Sequence, residues 1–362
     1  MSKKAMSKKQ IFVRTALALG VLVLSSAADA GMFHRGAAGF GARGAFAHGH
    51  TAFSGVNGSW RQGAGAYQTS TGAGAWRHRS FTGPRGGHSS RWSGAHTDGA
   101  GNGSAGTVKH WSGPNGASGT QGTKVTHSAD GSGSFTHQDH VNGPNGGSYN
   151  GQMSGTRNPD GSYNEQTTRS GSNGFSAQKS FNKDSGGNVN DSVNKTFANG
   201  GSVDKSYTDT GGNKTYDVTR QTANGGTVTK QYSENANGQF SDTATRTGAN
   251  GATQTVTGSG SVGNGSFSDN RTNTYSTAGG VSGTRTVSVS GTPTSVNRSV
   301  TGSGTGPGGS WQRTSSGSAA QGQGATGTVT VSGTNAAGQS GSKTYTGSVP
   351  PAGTPATTPT NP

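Results

Sequence analysis

Beyond residue 24 the chain contains neither leucine nor isoleucine. The five residues of these types, Ile11, Leu17, Leu19, Leu22 and Leu24, all lie close to the N-terminus. Leucine and isoleucine fill much of a close-packed protein interior, and 68 of the 362 residues are glycines that contribute no side-chain volume. We therefore expect no conventional core and no enzyme with a buried, preorganised site, and we expect no cofactor.

The N-terminal segment, residues 1–30, has the three parts of a secretory signal peptide. A lysine-rich head precedes an apolar stretch from Thr15 to Leu24, and Ala28-Asp29-Ala30 is a small-x-small cleavage site. The apolar stretch is about half of the roughly 20 residues that span a bilayer, so a signal peptide is favoured over a membrane anchor. We expect a mature chain that begins at Gly31, carries no transmembrane segment, and is exported to the periplasm, the outer surface or the medium. The absence of cysteine excludes disulfides.

Residues 31–157 are predicted to be a basic, low-complexity region rich in glycine, histidine and aromatic residues. Between Gly31 and His127, nine Lys or Arg residues and the single acid Asp98 give a formal charge of +8. Neither helical nor strand periodicity is evident, so we expect this region to be largely disordered.

Arginine and aromatic residues are neighbours at several points of this basic region. Arginine neutralises phosphates and aromatic rings stack on bases, a combination found in proteins that bind single-stranded nucleic acid and other polyanions. The predicted partner is an extracellular polyanion (DNA, lipopolysaccharide or acidic polysaccharide) or the cell-envelope surface. The candidate contact residues are Arg35, Arg43, Trp60, Arg61, Trp76, Arg77, Arg79, Arg85, Arg91 and Trp92. A plain solvating role for the charge stays open. The histidines, including His48 and His50, are interpreted as solvated rather than as metal ligands.

Residues 158–275 contain an internal repeat with a period of about 13 residues. Turn-forming pairs recur at that interval: Asp160-Gly161, Asn173-Gly174, Gly186-Gly187, Asn199-Gly200, Gly212-Asn213, Asn224-Gly225, Asn237-Gly238, Asn250-Gly251 and Gly263-Asn264. Such pairs are typical of two-residue hairpin turns. Between them, sequences such as Val203-x-Lys205-x-Tyr207 place valine, lysine and an aromatic ring on one face and polar residues on the other.

The expected fold is a β-rich repeat, either an antiparallel hairpin meander or a solenoid, flanked by disordered low-complexity regions. Residues 276–349 are predicted to form a Ser/Thr/Gly-rich region with weak strands, and residues 350–362 a flexible tail rich in proline and threonine. Exposed strand edges would provide a route to oligomerisation.

Two blocks of Gly-Pro-Asn-Gly, at residues 113–116 and 143–146, precede the Asn-Gly-Gly-x-Val-x-Lys-x-Tyr units. In composition and turn spacing, residues 106–300 resemble uncharacterised Gly/Ser/Thr/Asn-rich repeat proteins exported by Gram-negative bacteria. The resemblance implies no activity and no site.

Two functional hypotheses follow from the sequence. The first is a non-enzymatic exported structural or surface-interaction protein, in which a β-repeat scaffold carries a basic aromatic head for anionic surfaces. The second is a mainly disordered secreted protein that binds polyanions and uses the repeats as a spacer.

Overall fold

The computed structural model describes residues 32–41 and 44–351 and contains β-strands but no helix within these ranges. The chain divides into two compact units, Met1–Ser185 and Gly186–Pro362. The signal-peptide prediction, Arg43 and nearly all of the predicted proline-rich tail lie outside the described residues.

The first unit contains eleven strands, each paired antiparallel with its chain neighbours. They are β1 (Met32–Gly41), β2 (Gly44–Gly55), β3 (Gly58–Thr69), β4 (Gly72–Thr82), β5 (His88–Thr97), β6 (Gly103–Ser112), β7 (Ser118–His127), β8 (Gly133–Asn142), β9 (Ser148–Arg157), β10 (Tyr163–Gly171) and β11 (Ser176–Lys183).

The second unit contains twelve strands that are paired in the same way. They are β12 (Val189–Thr196), β13 (Ser202–Thr210), β14 (Asn213–Gln221), β15 (Thr227–Glu234), β16 (Gln239–Thr247), β17 (Thr253–Gly263), β18 (Ser266–Ser276), β19 (Ser282–Thr292), β20 (Ser295–Gly306), β21 (Gly309–Ala320), β22 (Gly324–Asn335) and β23 (Ser340–Val349).

Each unit is a single-layer antiparallel meander. Every substantial contact between described strands joins chain neighbours, so no second layer covers either face. Among the described residues, Ala177 and Val300 are the only hydrophobic residues that count as buried, at 8% and 7% exposure. Stability must therefore come from the backbone ladders and from cross-strand side-chain pairs, each of which contributes about 0.2–1 kcal/mol.

The antiparallel meander that the sequence predicts is confirmed, and it extends well beyond residues 158–275. The prediction of a largely disordered segment from Gly31 to His127 is wrong for its described part, which forms β1 to β7. The period also differs there: β5 to β10 begin 15 residues apart, whereas β10 to β13 begin 13 apart. The absence of an apolar alternation favours disorder in a strand that must face a core, but these strands have no core to face.

Most hairpins use a longer turn than the two-residue turn that the sequence predicts. In the turn from Ser128 to Ser132, the Gly131 N–H donates to the Ser128 carbonyl (3.0 Å) and the Ser128 N–H donates to the Ser132 carbonyl (2.9 Å). Gly131 has a φ of 86°, as the glycine bulge of a three-residue loop requires. Asp130 Oδ1 accepts the Ser132 N–H (2.9 Å). In the Asn-Gly pairs of such turns the glycine alone takes a positive φ; Asn264, at 52°, is the one described non-glycine residue that does so.

Aromatic rings lie against glycines that are their direct partners on the neighbouring strand. At Gly65, opposite Trp76, an added Cβ would lie 2.6 Å from the indole Nε1. The absence of a side chain on the glycine therefore leaves room for the ring over the adjacent backbone. The pairs are Phe46/Gly39, Tyr67/Gly74, Trp76/Gly65, Trp111/Gly119, Phe135/Gly155, Phe240/Gly260, Phe267/Gly291, Tyr275/Gly283 and Trp311/Gly304.

One face of the second unit is a ladder of hydroxyl groups. From β15 to β23 the positions of this face that lie away from the strand ends are Ser, Thr, Asn or Gln. Paired hydroxyls form cross-strand hydrogen bonds, as between Thr272 and Thr286 (3.0 Å). One row consists entirely of directly paired threonines: Thr243, Thr257, Thr272, Thr286, Thr301, Thr314, Thr330 and Thr344. Threonine is stiff at χ1 and suits a pleated strand, so these direct pairs contribute to the stability of a sheet that has no core.

The opposite face of the second unit carries the valine, lysine and aromatic residues, as the alternation in the sequence predicts. Tyr207, Tyr216 and Tyr232 are direct partners in a row across β13 to β15. The phenol of Tyr232 donates to Glu234 (2.9 Å), and Lys214 forms an ion pair with the same carboxylate (3.4 Å).

Candidate polyanion-binding face

The strand alternation separates the sequence-predicted contact residues onto two faces of the first unit. Consecutive residues of a strand point to opposite faces, whereas direct partners on neighbouring strands share a face. Trp76 and Arg77, adjacent in the chain, therefore lie on opposite faces. Adjacency in the sequence favours a combined site, but residues adjacent in a strand lie on opposite faces.

We define the cation face as the face of the first unit that carries Arg77. Of the predicted contact residues it holds Trp60, Arg77, Arg79 and Arg91. The other face, which we term the imidazole face, holds Arg35, Arg61, Trp76 and Trp92. Arg85 lies in the turn between β4 and β5.

Three cations of the cation face occupy one row across adjacent strands. Arg79 on β4 is the direct partner of Arg91 on β5, and Arg91 is the direct partner of Lys109 on β6. We term these three residues the cation row. Lys109 was not among the predicted contact residues; the register alone identifies it. All three side chains are exposed.

Among the described residues, the acid that shares this row is Asp139 on β8, which is separated from Lys109 by Gln121 on β7. No ion pair between described residues involves any of its members. Arg79 Nε donates to Gln62 Oε1 (2.8 Å), and Arg77 donates to the same oxygen (3.0 Å), so two guanidinium groups share one neutral acceptor. Like charges that lie directly opposite each other destabilise a sheet. The row is therefore an arrangement that the free protein maintains at a cost, as is common at functional sites.

Aromatic residues form a second row on the cation face. Trp60 on β3 lies between Phe53 on β2 and Phe81 on β4, and the row continues through Ser89 to Trp111 on β6. We term Phe53, Trp60, Phe81 and Trp111 the aromatic row. Phe81 is 48% exposed and the other three are half-buried.

On the other side of the cation row the same face carries first a row of Ala64, Arg77, Ser93 and Thr107 and then a row of alanines. Ala38, Ala47, Ala66, Ala75, Ala95 and Ala105 are successive direct partners from β1 to β6. The alanines are therefore separated from the cation row by a row that contains a further arginine.

The imidazole face carries a connected series of rings. His50 contacts Trp76 at 6.1 Å between ring centroids, Trp76 contacts Trp92 at 6.4 Å, and His78 stacks on Trp92 at 4.0 Å. His48 lies 6.1 Å from His50. No group of three or more potential metal-binding side chains occurs within residues 32–41 and 44–351.

No protein-family model, no curated protein and no solved structure matches this chain. In the part of the chain that the structure describes, no helix is long and apolar enough to cross a membrane.

Proposed function

We propose that this protein is a non-enzymatic, exported structural protein whose β-meander presents the cation face to an extended polyanion. The observation that carries this proposal is the cation row, in which three exposed cations are held in direct register without a neutralising acid. A polyanion that crosses the strands would contact the three cations in succession, because neighbouring strands lie about 4.7–4.9 Å apart. Binding would also relieve the repulsion between them.

Export rests on the N-terminal residues 1–30, whose pattern is that of a secretory signal. Expression of the full chain in a Gram-negative host, followed by fractionation and mass spectrometry, should give a protein outside the cytoplasm that begins at Gly31. Retention of the intact N-terminus in the cytoplasm would contradict export.

Polyanion binding is tested by a salt titration of the full chain with duplex DNA and with heparin. The triple variant Arg79→Gln, Arg91→Gln, Lys109→Gln removes the cation row. The matched control, Arg285→Gln, Arg298→Gln, Arg313→Gln, removes the same charge from residues whose direct partners are uncharged.

Each phosphate contact contributes about 0.9 to the slope of log affinity against log salt for duplex DNA. The row variant should therefore lower the magnitude of that slope by about 2.7, and the control should change it little. Equal losses in the two variants would show that net charge alone drives binding. No binding by the unmodified protein at low salt would refute the proposal.

A further inference from the structure

The cation row and the aromatic row run side by side across β4 to β6, where Ser89 takes the place of an aromatic residue on β5. Arg79 and Phe81 on β4 are two residues apart, as are Lys109 and Trp111 on β6. Since a strand advances about 3.3–3.4 Å per residue, the two rows are separated by about 6.7 Å along the strands. Both rows are perpendicular to the strands and lie on one face.

The two rows supply different chemistry. The cation row offers guanidinium and ammonium donors for an anionic backbone, and the aromatic row offers ring surfaces, with Phe81 48% exposed. Trp111 lies against Gly119, its direct partner on β7, so no side chain at that position covers the indole from β7.

A ligand that uses both rows must carry anionic groups along one edge and flat groups along the other. Duplex DNA encloses its bases between two phosphate backbones, and an acidic polysaccharide carries no aromatic bases. A single-stranded nucleic acid has phosphates on one side and unstacked bases on the other, and proteins bind it by pairing a basic track with aromatic stacking platforms.

We propose that the polyanion recognised by the cation face is single-stranded nucleic acid. Its phosphates contact Arg79, Arg91 and Lys109, and its bases pack against Trp60, Phe81 and Trp111. The strand of nucleic acid runs across β3 to β6, perpendicular to the protein strands. This inference rests on the proposed function, because it requires the cation row to bind a polyanion.

The first test compares three probes on the full chain: an oligothymidylate, the duplex of that oligonucleotide with its complement, and heparin. The variant Trp60→Leu, Trp111→Leu alters the aromatic row, and Trp76→Leu, Trp92→Leu is the matched control on the imidazole face. Stacking on an aromatic side chain typically changes affinity by about tenfold or more per base.

We expect the aromatic-row variant to lose about tenfold or more in affinity for oligothymidylate, with heparin affinity unchanged, and the imidazole-face variant to retain both affinities. The inference is overturned if the protein binds heparin, binds single-stranded and duplex DNA with equal affinity, and loses no affinity in the aromatic-row variant. That result leaves the proposed function standing. If none of the three probes binds at low salt, the proposed function fails first.

A second measurement keeps the test decisive if the aromatic-row variant does not fold. The protein has five tryptophans, so Trp76→Phe, Trp92→Phe, Trp311→Phe leaves Trp60 and Trp111 as the only two. Oligothymidylate should quench their fluorescence at saturation and heparin should not. Quenching by neither probe, or by both equally, would refute base stacking on the aromatic row.

Discussion

Neutralising the centre of the cation row should stabilise the protein. Arg91 has a cation as its direct partner on both sides, Arg79 and Lys109. Each cross-strand like-charge pair destabilises by up to about 1 kcal/mol, so Arg91→Gln, which keeps most of the side chain, should raise the free energy of unfolding by about 1 kcal/mol. For a unit of this size that corresponds to a rise in Tm of about 2–4 °C.

The assay is thermal and urea unfolding at about 10 mM and at 1 M salt, where the Debye lengths are about 30 Å and 3 Å. The gain should be present at low salt and nearly absent at 1 M. Arg298→Gln is the control, because the direct partners of Arg298 are Val289 and Gly317. A destabilising Arg91→Gln, or an effect equal to that of Arg298→Gln at both salt concentrations, would show that repulsion between the paired cations does not destabilise the sheet.

Three further perturbations test other features of the sheet. Gly65→Ala should destabilise the protein by about 1–3 kcal/mol in urea unfolding, because the added methyl group overpacks against Trp76. Gly94→Ala is the control on the other side of the same indole: its methyl group would meet only the Ala75 carbonyl, at 3.5 Å, and should be neutral or stabilising. Equal effects of the two substitutions would contradict the packing of the indole over Gly65. The side-chain and backbone hydrogen bonds from Ser132 lower the pKa of Asp130 from its ordinary value of 3.8. The ionised carboxylate therefore stabilises this turn above pH 3.8, and the stabilisation is lost as pH falls through the folded-state pKa. Asp130→Asn should make the NMR signal of the Ser132 amide independent of pH in this acidic range, and a persistent pH dependence would refute the role of Asp130. Glu234 raises the pKa of Lys214 above its ordinary value of 10.5, and burial and then the hydrogen bond to Glu234 raise the pKa of Tyr232 above 10.0. Glu234→Gln should lower both pKa values in an NMR titration. An unchanged pKa of Lys214 would contradict its ion pair with Glu234.

The sequence was sufficient to predict the strand repeat in residues 158–275, because turn residues and alternation agree there. Val203, Lys205 and Tyr207 share a face as their spacing predicts, with Ser206 on the other. The turn type was not predictable from Asn-Gly alone, since the same pair serves both two-residue and three-residue loops. The glycine bulge and the Asx hydrogen bond together decide the longer form.

The strands of the basic region escape prediction from the sequence for a physical reason. These strands carry small, cationic and aromatic residues on both faces, so neither face shows the regular apolar alternation that is typical of a strand facing a core. A usable signal was present: the two Gly-Pro-Asn-Gly blocks lie 30 residues apart, twice the 15-residue spacing of β5 to β10. That spacing also sets the register that aligns Arg79, Arg91 and Lys109, which no local motif reveals.

The register across β4 and β5 is the basis of the cation row, and a cysteine pair tests it most directly. The chain has no native cysteine, so Arg79→Cys with Arg91→Cys places two thiols on directly paired positions of one face. Arg79→Cys with Ser90→Cys differs by one residue and places the thiols on opposite faces. We expect efficient linkage by a short thiol crosslinker in the first pair and little in the second. Linkage in the second pair in preference to the first would show a register slipped by one residue and would contradict the cation row.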